Sequence, residues 1–359
     1  MSTPLPEPLR RWTRLEGLPL SCGDLPPVGG TLKSCPEDFE VEEIPAFEPA
    51  GEGDFLYLWI QKNDWDHRAL LRALSERLDI APGDIGSAGV KDRRAITRQT
   101  LSVPAACAER IGELDALEGV QVLRIDRHGH KLRTGKLRGN RFSILLRDPS
   151  GTLAQAEAIA ERVRRGIPHF FGDQRFGREG ATAELGWTLL LGERSPRTRK
   201  LGRNRFLRRM AISAIQSLLF NDYLCRRIAA GQLRTLLPGD RMIRRDSGGP
   251  FLCEDVSVEQ ARFDAGETVP TGPMFGSRFR QAEGEARAQE DAVLAEAGVV
   301  LEDFKRFKKL GLGTRRALLV WPEGMDITQE EEGIRVAFSL PAGAYATVIM
   351  REFQGIGER

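Results

Sequence analysis

The chain has 359 residues, 41% of them hydrophobic and 29% charged, a length that predicts two domains, or one with a large insertion, around real apolar cores. No apolar run of about 18 residues marks a membrane-spanning helix, and the start, MSTPLPEPLRRW, lacks an apolar signal core, so a cytoplasmic protein is expected. Net charge is only +2, the five cysteines lie far apart with no C-x-x-C pair, and the four histidines give one close pair, His128 and His130, so neither a disulfide framework nor a metal site is expected.

In chain order, residues 1–30 are rich in Pro and Gly and read as an irregular lead-in. FEVEEI (39–44) alternates and predicts a strand with one wet face, while FLYLWI (55–60) predicts a buried strand. Asp66 is placed to cap a helix with Leu70, Leu71, Leu74 and Leu78 along one stripe, ended by Pro82-Gly83. A loop with Asp92 follows, then a strand near 99–103, a helix over 105–117 and strands over 120–125 and 142–146. An amphipathic helix over 153–165 completes this part. Strands and helices mix here without strict βαβ alternation, which predicts an α+β fold with a largely antiparallel sheet.

The middle differs. Residues 204–230 predict a long helix, and 256–265, 285–296 and 301–310 predict further ones, with a turn-rich stretch over 238–250. Strand character returns in ALLVW (317–321) and IRVAFSL (334–340), and Pro341-Ala342-Gly343 opens a short helix to Phe353. The expected organisation is one α+β domain whose sheet is completed by the C-terminal strands, with a helical domain inserted.

Charge is segregated. Arg124 to Arg141 holds seven basic residues and one acid, and Arg194 to Arg209 holds eight basic residues and none. Either run alone is as well explained by a solvated loop; together they predict a cationic face for phosphates. P-loop, dinucleotide-binding, G-x-S-x-G and H-E-x-x-H motifs are absent. That leaves GVKDRRAITRQ (89–99), where Asp92 is the one acid among Lys91, Arg93, Arg94 and Arg98. Neighbouring cations favour an ionised carboxylate, which suits either a structural ion pair or a nucleophile.

The motifs around it resemble those of the tRNA pseudouridine synthase D (TruD) family. Ala88 with GVKDRRAITRQ resembles A/S-G-x-K-D-(+)-x-A-x-T-x-Q. Lys33 with PEDFEVEE (36–43) is similar to K-x-x-P-E-D-F-x-V-x-E. RHGHKLRTGKLRGNRF (127–142) resembles a basic segment ending in G-N-x-F. GIPHFFGDQRFG (166–177) resembles G-x-P-N-Y-F-G-x-Q-R-F-G, with His169 and Phe170 in place of Asn and Tyr, and LPAGAYATVIMRE (340–352) resembles L-P-x-G-(S/A)-(F/Y)-A-T-x-x-x-R-E. These segments follow family order over residues 33–352.

The resemblance implies a pseudouridine-synthase catalytic domain (1–165 and 313–359) with an inserted helix-rich α/β TRUD domain (166–312). It implies isomerisation of uridine to pseudouridine, at position 13 in the D arm of tRNA and commonly in glutamate tRNA, with tRNA as partner and no cofactor. The uridine is expected to leave its stack. Asp92 is the implied nucleophile and Lys33 its candidate ion-pair partner. Phe39, Asn140, Phe142, Gly343 and Tyr345 are implied to line the substrate pocket, against the plainer readings of core aromatics, a turn and a helix start. Arg133, Lys136, Arg138, Arg199, Lys200 and Arg203 are candidates for the RNA backbone, and Arg175 for a bond across the domain boundary. A monomer with no obligate protein partner is expected. A non-catalytic RNA-binding protein and a synthase for other RNAs are the alternatives.

Overall fold

The computed structural model describes residues 3–193 and 204–358; Arg199, Lys200 and Arg203 fall outside the described residues. The strands in chain order are β1 (Phe39–Pro45), β2 (Phe55–Asn63), β3 (Gly86–Ser87), β4 (Ile96–Pro104), β5 (Val120–His128) and β6 (Leu137–Arg147). Next come β7 (Ile167–Pro168), β8 (Arg241–Arg244), β9 (Pro250–Leu252), β10 (Thr268–Met274), β11 (Thr314–Ala317) and β12 (Leu319–Val320), then β13 (Glu323–Glu330) and β14 (Gly333–Pro341). By contacts the chain divides into two units, Pro26–Arg164 with Pro322–Ala346, and Met1–Leu25 with Arg165–Trp321 and Thr347–Arg359.

The first unit is built on a sheet in the order β13-β14-β6-β1-β4-β2-β5, with β3 against β4. Its pairings are antiparallel except for β1 with β4, so the fold is α+β as expected. Alternation along β1 buries Phe39, Val41 and Glu43 on one face. Register sets Phe142 opposite Val41 and Asn140 opposite Glu43, and Phe338 opposite Phe142 on the other side of β6. Residues i and i+2 share a face, so β1 and β6 alone bring Phe39, Glu43, Asn140 and Phe142 to one side.

Helix His67–Leu78 starts where the Asp66 carboxylate accepts from the Arg68 and Ala69 amides, at 3.0 and 3.1 Å. It buries Leu70, Leu74 and Leu78 against Leu58, Ile60, Leu101 and Val103 of the sheet. The helix expected over 105–117 is present as a run of 3-10 turns over Ala105–Ala116. Gly139 lies where β6 passes close to β14; a Cβ there would meet the Leu340 carbonyl oxygen.

The second unit centres on helix Arg205–Ala229, whose middle is buried from Ala211 to Cys225 except at Ser213, and contains a sheet in the order β11-β10-β8-β9. Inside it Arg227 forms a bidentate pair with Asp240 at 3.0 and 3.1 Å, both side chains fully buried. Trp12 Nε1 donates to Asp222 Oδ1 at 2.9 Å, and Arg351 donates to the Leu15 carbonyl at 2.8 Å. These bonds explain why both chain ends group with this unit. The residues of ALLVW (317–321) were expected to help complete the large sheet. They pair instead with β10 and β7, because their carbonyls and amides are taken up by buried strands of the second unit. Arg175 bonds Ser217 Oγ at 3.0 Å and also Ser213; both serines are on helix Arg205–Ala229, so its bonds stay within the unit.

Candidate active site

All the geometry of the site described here lies in the first unit. Asp92 Oδ1 receives Lys33 Nζ at 2.9 Å, so residues 59 positions apart meet as an ion pair. Lys33 also stands 3.8 Å above the centre of the Phe39 ring, a cation–π contact that fixes the ammonium between carboxylate and aromatic face. Its backbone has φ 59°, a left-handed conformation that a lysine rarely adopts, of a kind that clusters at functional sites. The turn that follows is held by Asp38, whose carboxylate takes the Cys35 amide at 3.1 Å and Arg147 Nε at 2.8 Å. Burial pushes the Asp38 carboxyl up, but these hydrogen bonds and the guanidinium charge prevail and hold it below the usual range.

The aromatic side of the site is a row. Phe39 meets Phe142 edge-on, with centres 6.2 Å apart, and Phe142 leans on Phe338 at 5.6 Å. All three rings are largely buried, and the sequence had not singled out Phe338. Its alternation with Val336 and Leu340 on β14 was the available signal.

The cations around Asp92 do different work. Lys91, its chain neighbour, turns away from it and is buried with Glu43: Nζ stands 2.9 Å from Glu43 Oε2 and donates to Asn140 Oδ1 at 2.6 Å. Arg98, on β4, pairs with Glu40 at 3.2 Å and donates to Gln61 Oε1 at 2.9 Å. Arg93 makes a loose exposed pair with Asp64 at 3.9 Å. A further lysine was missed from sequence. Lys62, fully buried on β2, donates to the backbone carbonyls of Asp92 at 2.7 Å and Trp65 at 2.6 Å. Burial depresses its pKa to about 8, against the opposing pull of Asp92 and other nearby acids. A lysine ending the apolar run FLYLWIQK was the only hint.

Gly343 and Tyr345 sit in the segment leaving β14, next to the register pairs Leu340 with Asn140 and Pro341 with Gly139. Gly343 has φ 86° and supplies the turn after Pro341; helix Ala346–Gln354 begins three residues later. Arg133, Lys136 and Arg138 are exposed on the stretch between β5 and the start of β6. Among the described residues no cluster of three or more His, Cys, Asp or Glu could hold a metal. Nor is any described helix long and apolar enough to cross a membrane.

The sequence matches the family described as tRNA pseudouridine synthase D (TruD) over residues 17–201 and 198–353. It is 46% identical over 342 residues to the tRNA pseudouridine synthase D of an Anaeromyxobacter species, covering 94% of this chain and 96% of that one. It is 41% identical over 343 residues to the tRNA pseudouridine synthase D of Thermus thermophilus, covering 94% and 92%. The crystal structure of a candidate tRNA pseudouridine synthase D (TruD) from Methanosarcina mazei superposes with a TM-score of 0.72 at 28% identity, covering 98% of this chain and 99% of that one. Matches of this extent place the chain among the pseudouridine synthases, which are isomerases. It belongs to the tRNA pseudouridine synthase D (TruD) family.

Proposed function

We propose that this protein isomerises uridine 13 in the D arm of tRNA, commonly glutamate tRNA, to pseudouridine, with Asp92 as nucleophile, a flipped-out uridine and no cofactor. The observation that carries the reading is the Asp92–Lys33 pair, 2.9 Å long, with the same ammonium seated on Phe39. The reaction breaks the N1–C1′ bond, turns the uracil and joins C5 to C1′; the proton leaves C5 and N1 gains one. Atoms and electrons balance within the substrate, so no redox partner is required. Asp92 serves by attack at C1′, or by taking a sugar proton to give a glycal. Either role uses the carboxylate, and Lys33 Nζ at 2.9 Å holds it in place and supplies its counter-charge.

The flipped base needs a surface and polar contacts. Phe39 and Phe142 supply the aromatic edge, Asn140 the amide, and Gly343 and Tyr345 the far wall. The first unit is then the catalytic domain. The insertion expected over 166–312, which falls within Arg165–Trp321 of the second unit, is the TRUD domain. Arg133, Lys136 and Arg138, with Arg199, Lys200 and Arg203, contact the RNA backbone. The protein acts as a monomer in the cytoplasm.

The test is tritium release from tRNA labelled at C5 of uridine, with wild type and Asp92→Asn. Release by wild type and none by the variant, at equal tRNA affinity, is expected. Undiminished release by Asp92→Asn would remove Asp92 from the mechanism.

A further inference from the structure

Asn140 carries an amide whose two ends are nearly the same in shape but opposite in hydrogen-bonding character. The oxygen accepts and the NH2 donates. Which end faces a substrate decides whether the site reads an acceptor or a donor on the base. The surroundings of Asn140 settle this orientation chemically. Lys91 Nζ stands 2.6 Å from the amide oxygen, and an ammonium has only donors, so the atom facing it must be the oxygen. Lys91 is in turn fixed by Glu43 at 2.9 Å, with only 3% and 1% of the two side chains exposed. Glu43 is held from the other side by the Thr100 amide, which donates to its Oε1 at 3.2 Å. Among the described residues Nδ2 of Asn140 donates no hydrogen bond. The amide nitrogen is the end left for a ligand.

We infer that Lys91, held by Glu43, is a positioning residue that locks the Asn140 amide with its NH2 presented to the base, so that the site selects a carbonyl oxygen on the base it receives. The discrimination is read at C4, where uracil offers a carbonyl and cytosine an amino group, a donor that would face a donor; both bases carry a carbonyl at C2. The inference rests on the proposed uridine site and adds the source of its donor. It also accounts for the position of Lys91. The lysine beside the nucleophile points to the amide, while Lys33, distant in sequence, pairs with the carboxylate.

A buried charged pair stripped of one member is strongly destabilised, so the test compares variants that differ in donor capacity. Lys91→Gln keeps a neutral donor of similar length; Lys91→Met keeps the bulk without one. Single-turnover pseudouridine formation should fall by ~100-fold in Lys91→Met and by ~10-fold or less in Lys91→Gln, as expected for loss and partial retention of one transition-state contact. If Lys91 acts through Asn140, adding Lys91→Met to Asn140→Ala should cost less than about threefold more, because coupled residues are not additive. Losses that multiply in the double variant, with both single variants folded by thermal melting, would overturn the inference.

A second readout needs no activity. Neutron diffraction of deuterated Lys91→Met crystals should show the Asn140 amide turned over or in both orientations. An amide fixed as in wild type would also overturn the inference. A wild type that makes no pseudouridine in any tRNA instead overturns the functional reading, and the diffraction result then decides the positioning role by itself.

Discussion

Lys62 is the residue whose replacement should separate folding energetics from site geometry most cleanly. Its ammonium is fully buried and holds the Asp92 and Trp65 carbonyls. The fall of its pKa from 10.5 to about 8 comes first from burial. That fall corresponds to a cost of roughly 3 kcal/mol for keeping the charge inside. Lys62→Met removes this cost but leaves two carbonyls without their donor, at ~1–3 kcal/mol each. The effects are comparable, ~2–6 kcal/mol lost against ~3 gained, so stability near pH 7 should change by no more than ~3 kcal/mol.

The pH dependence is sharper. Below about pH 8 both folded and unfolded chains carry the Lys62 proton, and the cost is fully present. As pH rises from about 8 towards 10.5 the folded chain gives up its proton before the unfolded chain does, so the cost is progressively relieved. Wild type should therefore gain on Lys62→Met by ~1.3 kcal/mol between about pH 7 and 9. Urea unfolding of both proteins in parallel measures the difference, in which the other titrating groups cancel. A difference that stays constant over this range, or that moves against wild type, would show that Lys62 does not titrate in this way.

Lys33→Met removes a part-exposed ion pair and one cation–π contact, so thermal melting should report a loss of only ~1 kcal/mol while single-turnover rates fall by ~100-fold or more. Gly139→Ala places a Cβ 2.1 Å from the Leu340 carbonyl oxygen and should separate β6 from β14, lowering stability by ~2 kcal/mol or more in urea unfolding. Neutralising Arg133, Lys136 and Arg138 together should reduce the slope of log affinity against log salt for tRNA by about two to three, read by filter binding across salt concentrations; an unchanged slope would take these residues off the RNA path.

Much of the first unit could be read from periodicity: the alternation of FEVEEI, the Asp66 cap and the Leu70–Leu74–Leu78 stripe all correspond to elements of the structure. Other elements were hidden for physical reasons. β13, EGMDITQE, is an edge strand with Ile327 its only buried residue, so little alternation marks it. β10, TVPTGPM, is buried along its whole length yet contains Pro and Gly, which signal turns. Residues 301–310 carry a helical pattern but run as 3-10 turns broken at Lys308, where φ is positive.

The site was legible in part and for a different reason. Family motifs linked Lys33 to Asp92 across 59 positions, which no local pattern could do, and the structure brings the two together. Lys91 and Glu43 were both visible as residues, Glu43 as the last acid of the N-terminal motif. Their partnership was not, because it depends on the register that sets Glu43 opposite Asn140. Lys62 gave almost no signal, since a lysine at the end of an apolar strand ordinarily reaches solvent.

Asp92 is proposed to carry the chemistry on one uridine of the D arm. Unmodified tRNA transcripts incubated with purified wild type and Asp92→Asn, then mapped for pseudouridine position by position, test it most directly. A single pseudouridine, at position 13, is expected with wild type and none with the variant, although both bind the transcript equally. Pseudouridine at the same position from Asp92→Asn, or none at position 13 from folded, tRNA-bound wild type, would contradict it.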